Sequence, residues 1–147
     1  MFAIMRTIRK PIRKLMLPLF AMMVAACDPA ALGGLTAGGP KIDPNEPIPV
    51  ALLVPRGGTA ADNLLATNLE NAARLAIRDL DGVNINLRVY GTAGNAGTAA
   101  TVASQAVAEG AKIILGPVYG EAANAAGVAV ADSGVNVLSF SNNTTIA

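Results

Sequence analysis

The chain has 147 residues, 52% of them hydrophobic, with a single cysteine and no histidine. One cysteine excludes an internal disulfide framework. The lack of histidine removes the commonest general base and metal ligand, and with them every Ser-His-Asp or Cys-His arrangement. Five of the eleven basic residues precede Cys27 and all ten acids follow it, so the chain beyond Ala26 carries a net charge of −4. No basic patch remains to hold nucleic acid, and the sign speaks for solubility rather than for a partner.

Arg6, Arg9, Lys10, Arg13 and Lys14 lead into the apolar run from Leu15 to Ala26. That run is about a dozen residues, well short of the roughly twenty a membrane-spanning helix needs. A basic region, a short apolar region and small residues at its end make a secretory signal. Val24–Ala25–Ala26–Cys27 closes the run and resembles the lipobox of bacterial lipoproteins. The resemblance implies cleavage after residues 1–26, a lipid on Cys27, and a protein tethered to a membrane on the periplasmic face of a bacterial cell envelope. Which membrane it is stays open.

Residues 27–47 hold Gly33–Gly34, Gly38–Gly39–Pro40 and Asp43–Pro44–Asn45–Glu46–Pro47, with no hydrophobic period. Such a stretch reads as a flexible tether, stiffened by its prolines. A folded domain is expected over 48–147.

Val50–Val54 is a continuous apolar run, as expected of a strand covered on both faces. A helix follows over about 62–80, with an apolar stripe at Leu65, Leu69, Ala72, Ala76 and Leu80. Glu70 and Arg74 form an i,i+4 pair on it, and Gly82 stands as its C-terminal cap. Ile85, Leu87 and Val89 alternate with polar residues, which marks a strand at the sheet edge. Tyr90–Asn95 reads as a loop and 97–109 as a second helix. Lys112–Leu115 reads as a short buried strand, 121–132 as an alanine-rich helix and Val135–Phe140 as a fourth strand. This alternation predicts an α/β fold, an open parallel sheet with helices on both faces and strand order 2-1-3-4.

In open α/β sheets ligands gather beyond the carboxyl ends of the strands. Here those ends bring Gly57, Gly58, Tyr119, Gly120, Ser141 and Asn142 together as candidate ligand-binding residues. The loop Pro55–Ala61 lacks the G-x-G-x-x-G spacing of dinucleotide binding, and no Gly-Lys pair exists for a phosphate loop. No cofactor, metal site or catalytic constellation is implied.

The strand Val50–Val54, the helix Asn68–Ile77, the turn Ile113–Pro117 and the run Val135–Asn143 together resemble the first lobe of type I periplasmic binding proteins, over residues 48–147. Receptors for branched-chain amino acids are familiar members. Tyr90–Gly91–Thr92–Ala93–Gly94 is similar to the Y-D-T-G-G loop of a second branch, the penicillin-binding protein activator lipoproteins, with Gly91 in place of the aspartate. The Ser or Thr that binds a carboxylate in the receptors is absent at Tyr119 and Gly120, and Glu121 follows. On this resemblance the leading expectation is a non-enzymatic envelope lipoprotein that regulates peptidoglycan synthesis by docking on a peptidoglycan synthase. The alternative is the receptor of an ABC permease for amino acids or another small polar solute. Both imply a second lobe beyond Ala147 and, on a lone first lobe, exposed apolar surface.

Overall fold

The computed structural model describes residues 39–143. The basic and apolar leader, Cys27 and the tether up to residue 38 lie outside the described residues. Nearer the domain, Asp43 closes a turn by accepting the Asn45 amide at 2.9 Å and the Glu46 amide at 3.2 Å.

Among the described residues four strands and three α-helices alternate: β1 (Ile48–Val54), α1 (Ala60–Arg78), β2 (Ile85–Gly91), α2 (Ala96–Ala108), β3 (Ile113–Leu115), α3 (Gly120–Val130) and β4 (Asn136–Leu138). All pairings are parallel and the order is β2-β1-β3-β4, as the sequence pattern predicts. Val50 pairs with both Leu87 and Ile113, so β1 lies in the interior of the sheet. Its residues from Val50 to Val54 are at most 5% exposed, which explains an apolar run with no polar alternation.

The period of two in β1 divides the core. Leu52 and Val54 face α1, where Ala66, Leu69 and Ala73 meet them with Leu87, Val89 and Leu115. Ala51, Leu53 and Ile114 face the other way, against Ala103 and Ala106 of α2 and Ala126 and Val130 of α3. Helices therefore cover both faces. Alanine at the contacts lets helix and sheet backbones approach closely, which accounts for so apolar a composition with so few aromatics.

Several boundaries differ from the sequence reading. The inward stripe of α1 is turned by one position: Ala66 is fully buried, Leu69, Ala73 and Ile77 are half-buried, and Ala72, Ala76 and Leu80 are exposed. The smallest side chain sits at closest approach to the sheet, and spacing alone could not choose between neighbouring stripes. Asp79, not Gly82, is the C-cap of α1; its amide reaches the carbonyls of Ala76 and Ile77. Gly82 serves the following turn with φ +76°. Tyr90 and Gly91 belong to β2, not to the loop, because their partners Leu53 and Val54 continue β1. β4 stops at Leu138, where the Leu138 carbonyl accepts the Gly116 amide at 2.8 Å and the Phe140 amide turns to Pro117 at 3.0 Å. A short 3-10 turn, Ala131–Ser133, ends the third helix early.

Candidate functional site

The carboxyl ends of the strands deliver four loops to one edge of the sheet: 55–59, 92–95, 116–119 and 139–143. Each must leave its strand tightly. At Gly116, φ is +84° and an added Cβ would lie 2.3 Å from the Leu53 carbonyl oxygen, so only glycine fits there. The Gly116–Pro117 peptide is cis.

The first loop is satisfied from within. The Gly57 amide donates to Asn63 Oδ1 at 2.9 Å, the Gly58 amide to the Pro55 carbonyl at 3.2 Å, and the Thr59 amide to Asp62 Oδ2 at 2.9 Å. Thr59 and Asp62 form a reciprocal capping box at the start of α1. The amides expected to approach a ligand at Gly57 and Gly58 are thus engaged by the loop's own side chain and carbonyl. Arg56, at the outer side, pairs with Glu70 at 2.6 Å, and Glu70 also holds Arg74 at 2.8 Å. The Arg56 and Arg74 guanidiniums keep the Glu70 carboxyl below its ordinary range.

The second loop is tied to β1. Thr92 is buried; its amide donates to the Val54 carbonyl at 2.8 Å and its hydroxyl to the same oxygen at 3.2 Å. The Ala93 amide donates to Arg56 at 3.0 Å. A Cβ at Gly91 would meet the Arg56 carbonyl oxygen at 2.9 Å. Asn95 caps α2 by accepting the Thr98 amide at 3.0 Å.

The third loop behaves differently. Tyr119 is the N-cap residue of α3 and supplies no side-chain cap. Its phenol donates instead to Asp62 Oδ1 on α1, 57 residues away in sequence. That bond, with those from Thr59, holds the Asp62 carboxyl below its ordinary range, and the same bond pushes the Tyr119 phenol up. Hence α1 and α2 begin with a side chain on their first-turn amides, and α3 does not. Its first turn instead carries Glu121, which is exposed.

A cavity of about 470 Å³ runs along α3 from Gly120 to Ala131, walled by that helix on one side and by β4 and its following loop on the other. Gly120, Asn124, Ser139, Ser141 and Asn143 give it polar groups, and Ala123, Gly127, Val128, Ala131 and Val137 line the rest. Ser139 is committed, donating to the Pro117 carbonyl at 3.1 Å and accepting the Ser141 amide at 2.9 Å. The Ser141 hydroxyl accepts the Asn143 amide at 3.2 Å and keeps its own proton to donate.

Of the six expected ligand residues, the structure therefore brings Gly120 and Ser141 to one cavity. Gly57 and Gly58 lie in a self-satisfied turn, Tyr119 is turned toward Asp62, and Asn142 is exposed without lining the cavity. Two residues escaped the sequence reading. Asn124 lies one helical turn after Gly120, a spacing visible in the sequence. Asp62 stands three residues after Thr59, which is the capping-box spacing. Among the described residues no group of three His, Cys, Asp or Glu is placed to hold a metal ion.

A family model described as "Periplasmic binding protein" matches residues 47–146. No curated protein matches the chain. Among solved structures, the chain is similar to the branched-chain amino acid transporter substrate binding protein LivJ from Streptococcus pneumoniae, solved in complex with isoleucine. The TM-score is 0.53 and the identity 21%, over 69% of this chain and 31% of that one. At that identity the likeness is one of fold, and the chain spans under a third of the length of that protein. The matched segment begins at β1 and takes in every strand and helix described above, and on that evidence the chain belongs to the periplasmic binding protein family, a family of binding proteins and not of enzymes.

Proposed function

We propose that residues 48–147 are the ligand-binding first lobe of a solute receptor that delivers a small polar molecule, of the size of an amino acid, to an ABC permease. The observation that carries this reading is the start of α3. Among the described α-helices it is the one start without a side-chain cap, and Gly120 there lines a cavity that also holds Ser141. First-turn amides at a helix N-terminus favour a carboxylate or similar group. Ser141 takes the place of the hydroxyl missing after Gly116–Pro117. The solved neighbour, a transporter substrate binding protein, points the same way.

The envelope location fits the family, and Cys27 as a lipid anchor follows from the lipobox resemblance. Replacing Cys27 with Ser is expected to abolish incorporation of a fatty-acid label in expressing bacteria; a labelled variant would refute the anchor.

Titration of the full chain with a panel of amino acids, followed by amide NMR, tests the lobe. A ligand should shift Gly120, Glu121 and Ser141 and leave Gly57 and Gly58 in place. A panel that moves none of them at millimolar concentration would overturn the receptor reading. The second reading, an activator docking on a peptidoglycan synthase, rests on the likeness of Tyr90–Gly94 to the activator loop. The missing aspartate counts against it, since a side chain at Gly91 has no room beside the Arg56 carbonyl. Capture of a synthase from solubilised envelopes, with no solute response, would reverse the order of the two.

A further inference from the structure

One side chain joins three of the four loops at the cleft edge. Tyr119 leaves the start of α3, and its ring lies against Gly94, where an added Cβ would be 3.2 Å from Cε2. Its hydroxyl ends on Asp62 at the start of α1. Asp62 is itself fixed by the Thr59 amide and hydroxyl through its other oxygen, at 2.9 and 2.7 Å. The three loops have few other direct ties. The 92–95 loop reaches the first loop through the Ala93 amide on Arg56, and no other hydrogen bond among the described residues joins the 116–119 loop to α1.

We propose that Tyr119 is a positioning residue, a clasp that sets the 55–59, 92–95 and 116–119 loops in one common arrangement, with Asp62 as its catch. Gly94 is part of the device, because its missing side chain makes the seat for the ring. A phenol bonded to a carboxylate is a charge-assisted contact, stronger than a neutral one. It is also exposed at the rim, since Tyr119 remains 41% accessible, so it can be released without opening the core. The cleft edge thus has two states, clasped and free. Whatever engages the start of α3 acts on a residue already tied to α1. The proposal stands whichever solute or partner the lobe serves.

Backbone hydrogen exchange of the full chain tests it. Tyr119→Phe keeps the ring on Gly94 and removes only the hydroxyl. It should speed exchange at Gly94, Asn95 and the first turn of α1 by about three- to tenfold, while Leu52 and Leu53 stay unchanged. Asp62→Asn also weakens the α1 cap, so its effect on α1 alone is uninformative; its effect on Gly94 and Asn95 is the readout. The double variant should loosen those two amides no more than Tyr119→Phe does. Additive effects there, or no change on Tyr119→Phe, would overturn the clasp. A second measurement is independent of exchange. The chain has two tyrosines and no tryptophan. In a Tyr90→Phe background the emission of Tyr119, quenched by its carboxylate acceptor, should rise on Asp62→Asn. Unchanged emission would refute the contact.

Discussion

Single residues at the cleft edge carry most of what is particular to this chain. The bond between Tyr119 and Asp62 needs a protonated phenol and an ionised carboxylate. Asp62 has its pKa lowered in the fold, so its share of stability is present at neutral pH and is lost as acid takes the pH down through that lowered value. Tyr119 has its pKa raised, so its share is present below the ordinary phenol range and is lost as alkali passes the raised value. The melting temperatures of wild type and Tyr119→Phe should therefore differ across the neutral range and converge at both extremes; a gap that persists in acid would contradict the pairing. Gly91 supplies a second test at this scale. Gly91→Asp, which restores the residue of the activator loop, should cost about 2 kcal/mol or more in denaturant melts, because its Cβ meets the Arg56 carbonyl. The sequence shows glycines at both places but not what each must avoid. A carbonyl brought close by a neighbouring strand is a long-range fact, as is a tyrosine that reaches 57 residues back to an aspartate.

At the scale of elements, the alternation of apolar runs was enough to read four strands, three helices and the edge position of β2. Val50–Val54 of β1 is apolar throughout, whereas Asn86 and Arg88 alternate with apolar residues in β2, the mark of a border strand. What was not legible is rotation. Leu65–Leu69–Ala72–Ala76–Leu80 and Ala66–Leu69–Ala73–Ile77 are both acceptable stripes on one helix. The sheet selects the second, which puts Ala66 at the contact. Small residues likewise set the spacing of α2 and α3, where Ala103, Ala106 and Ala126 are wholly buried over Ala51, Leu53 and Ile114. Ala126→Leu should therefore destabilise the fold by about 1–3 kcal/mol, read as a lowered denaturation midpoint, since the added atoms have no void to enter. The cavity beside α3 was legible only in part. Gly120 and Ser141 were named from their loops, but the wall that Asn124 and Gly127 provide follows from the turn of the helix past β4.

At the scale of the whole molecule, large apolar side chains among the described residues are exposed along α1 and just past its end, at Leu64, Leu75 and Leu80, and around α3 and β4. Val128 is 72% exposed, Leu138 54% and Phe140 45%. The opposite border of the sheet is better managed: Arg88 and Tyr90 of β2 reach the end of α2, bonding the Glu109 carbonyl at 2.7 Å and its carboxylate at 2.6 Å. Apolar patches of this kind drive association. Replacing Leu138 and Phe140 together with Ser should reduce self-association in sedimentation runs and lower the binding of a hydrophobic dye; an unchanged sedimentation profile would contradict this. The interior place of β1 also bears on how the chain is made. Of the described strands it emerges first during synthesis, yet it is completed on one flank only when Ile85–Gly91 appears, and on the other only after Ile113–Leu115. Parallel pairings between such distant segments form slowly. Until then the most thoroughly buried of the described strands stands bare, and a nascent chain halted before β3 should lean on chaperones more heavily than one that has gone past it.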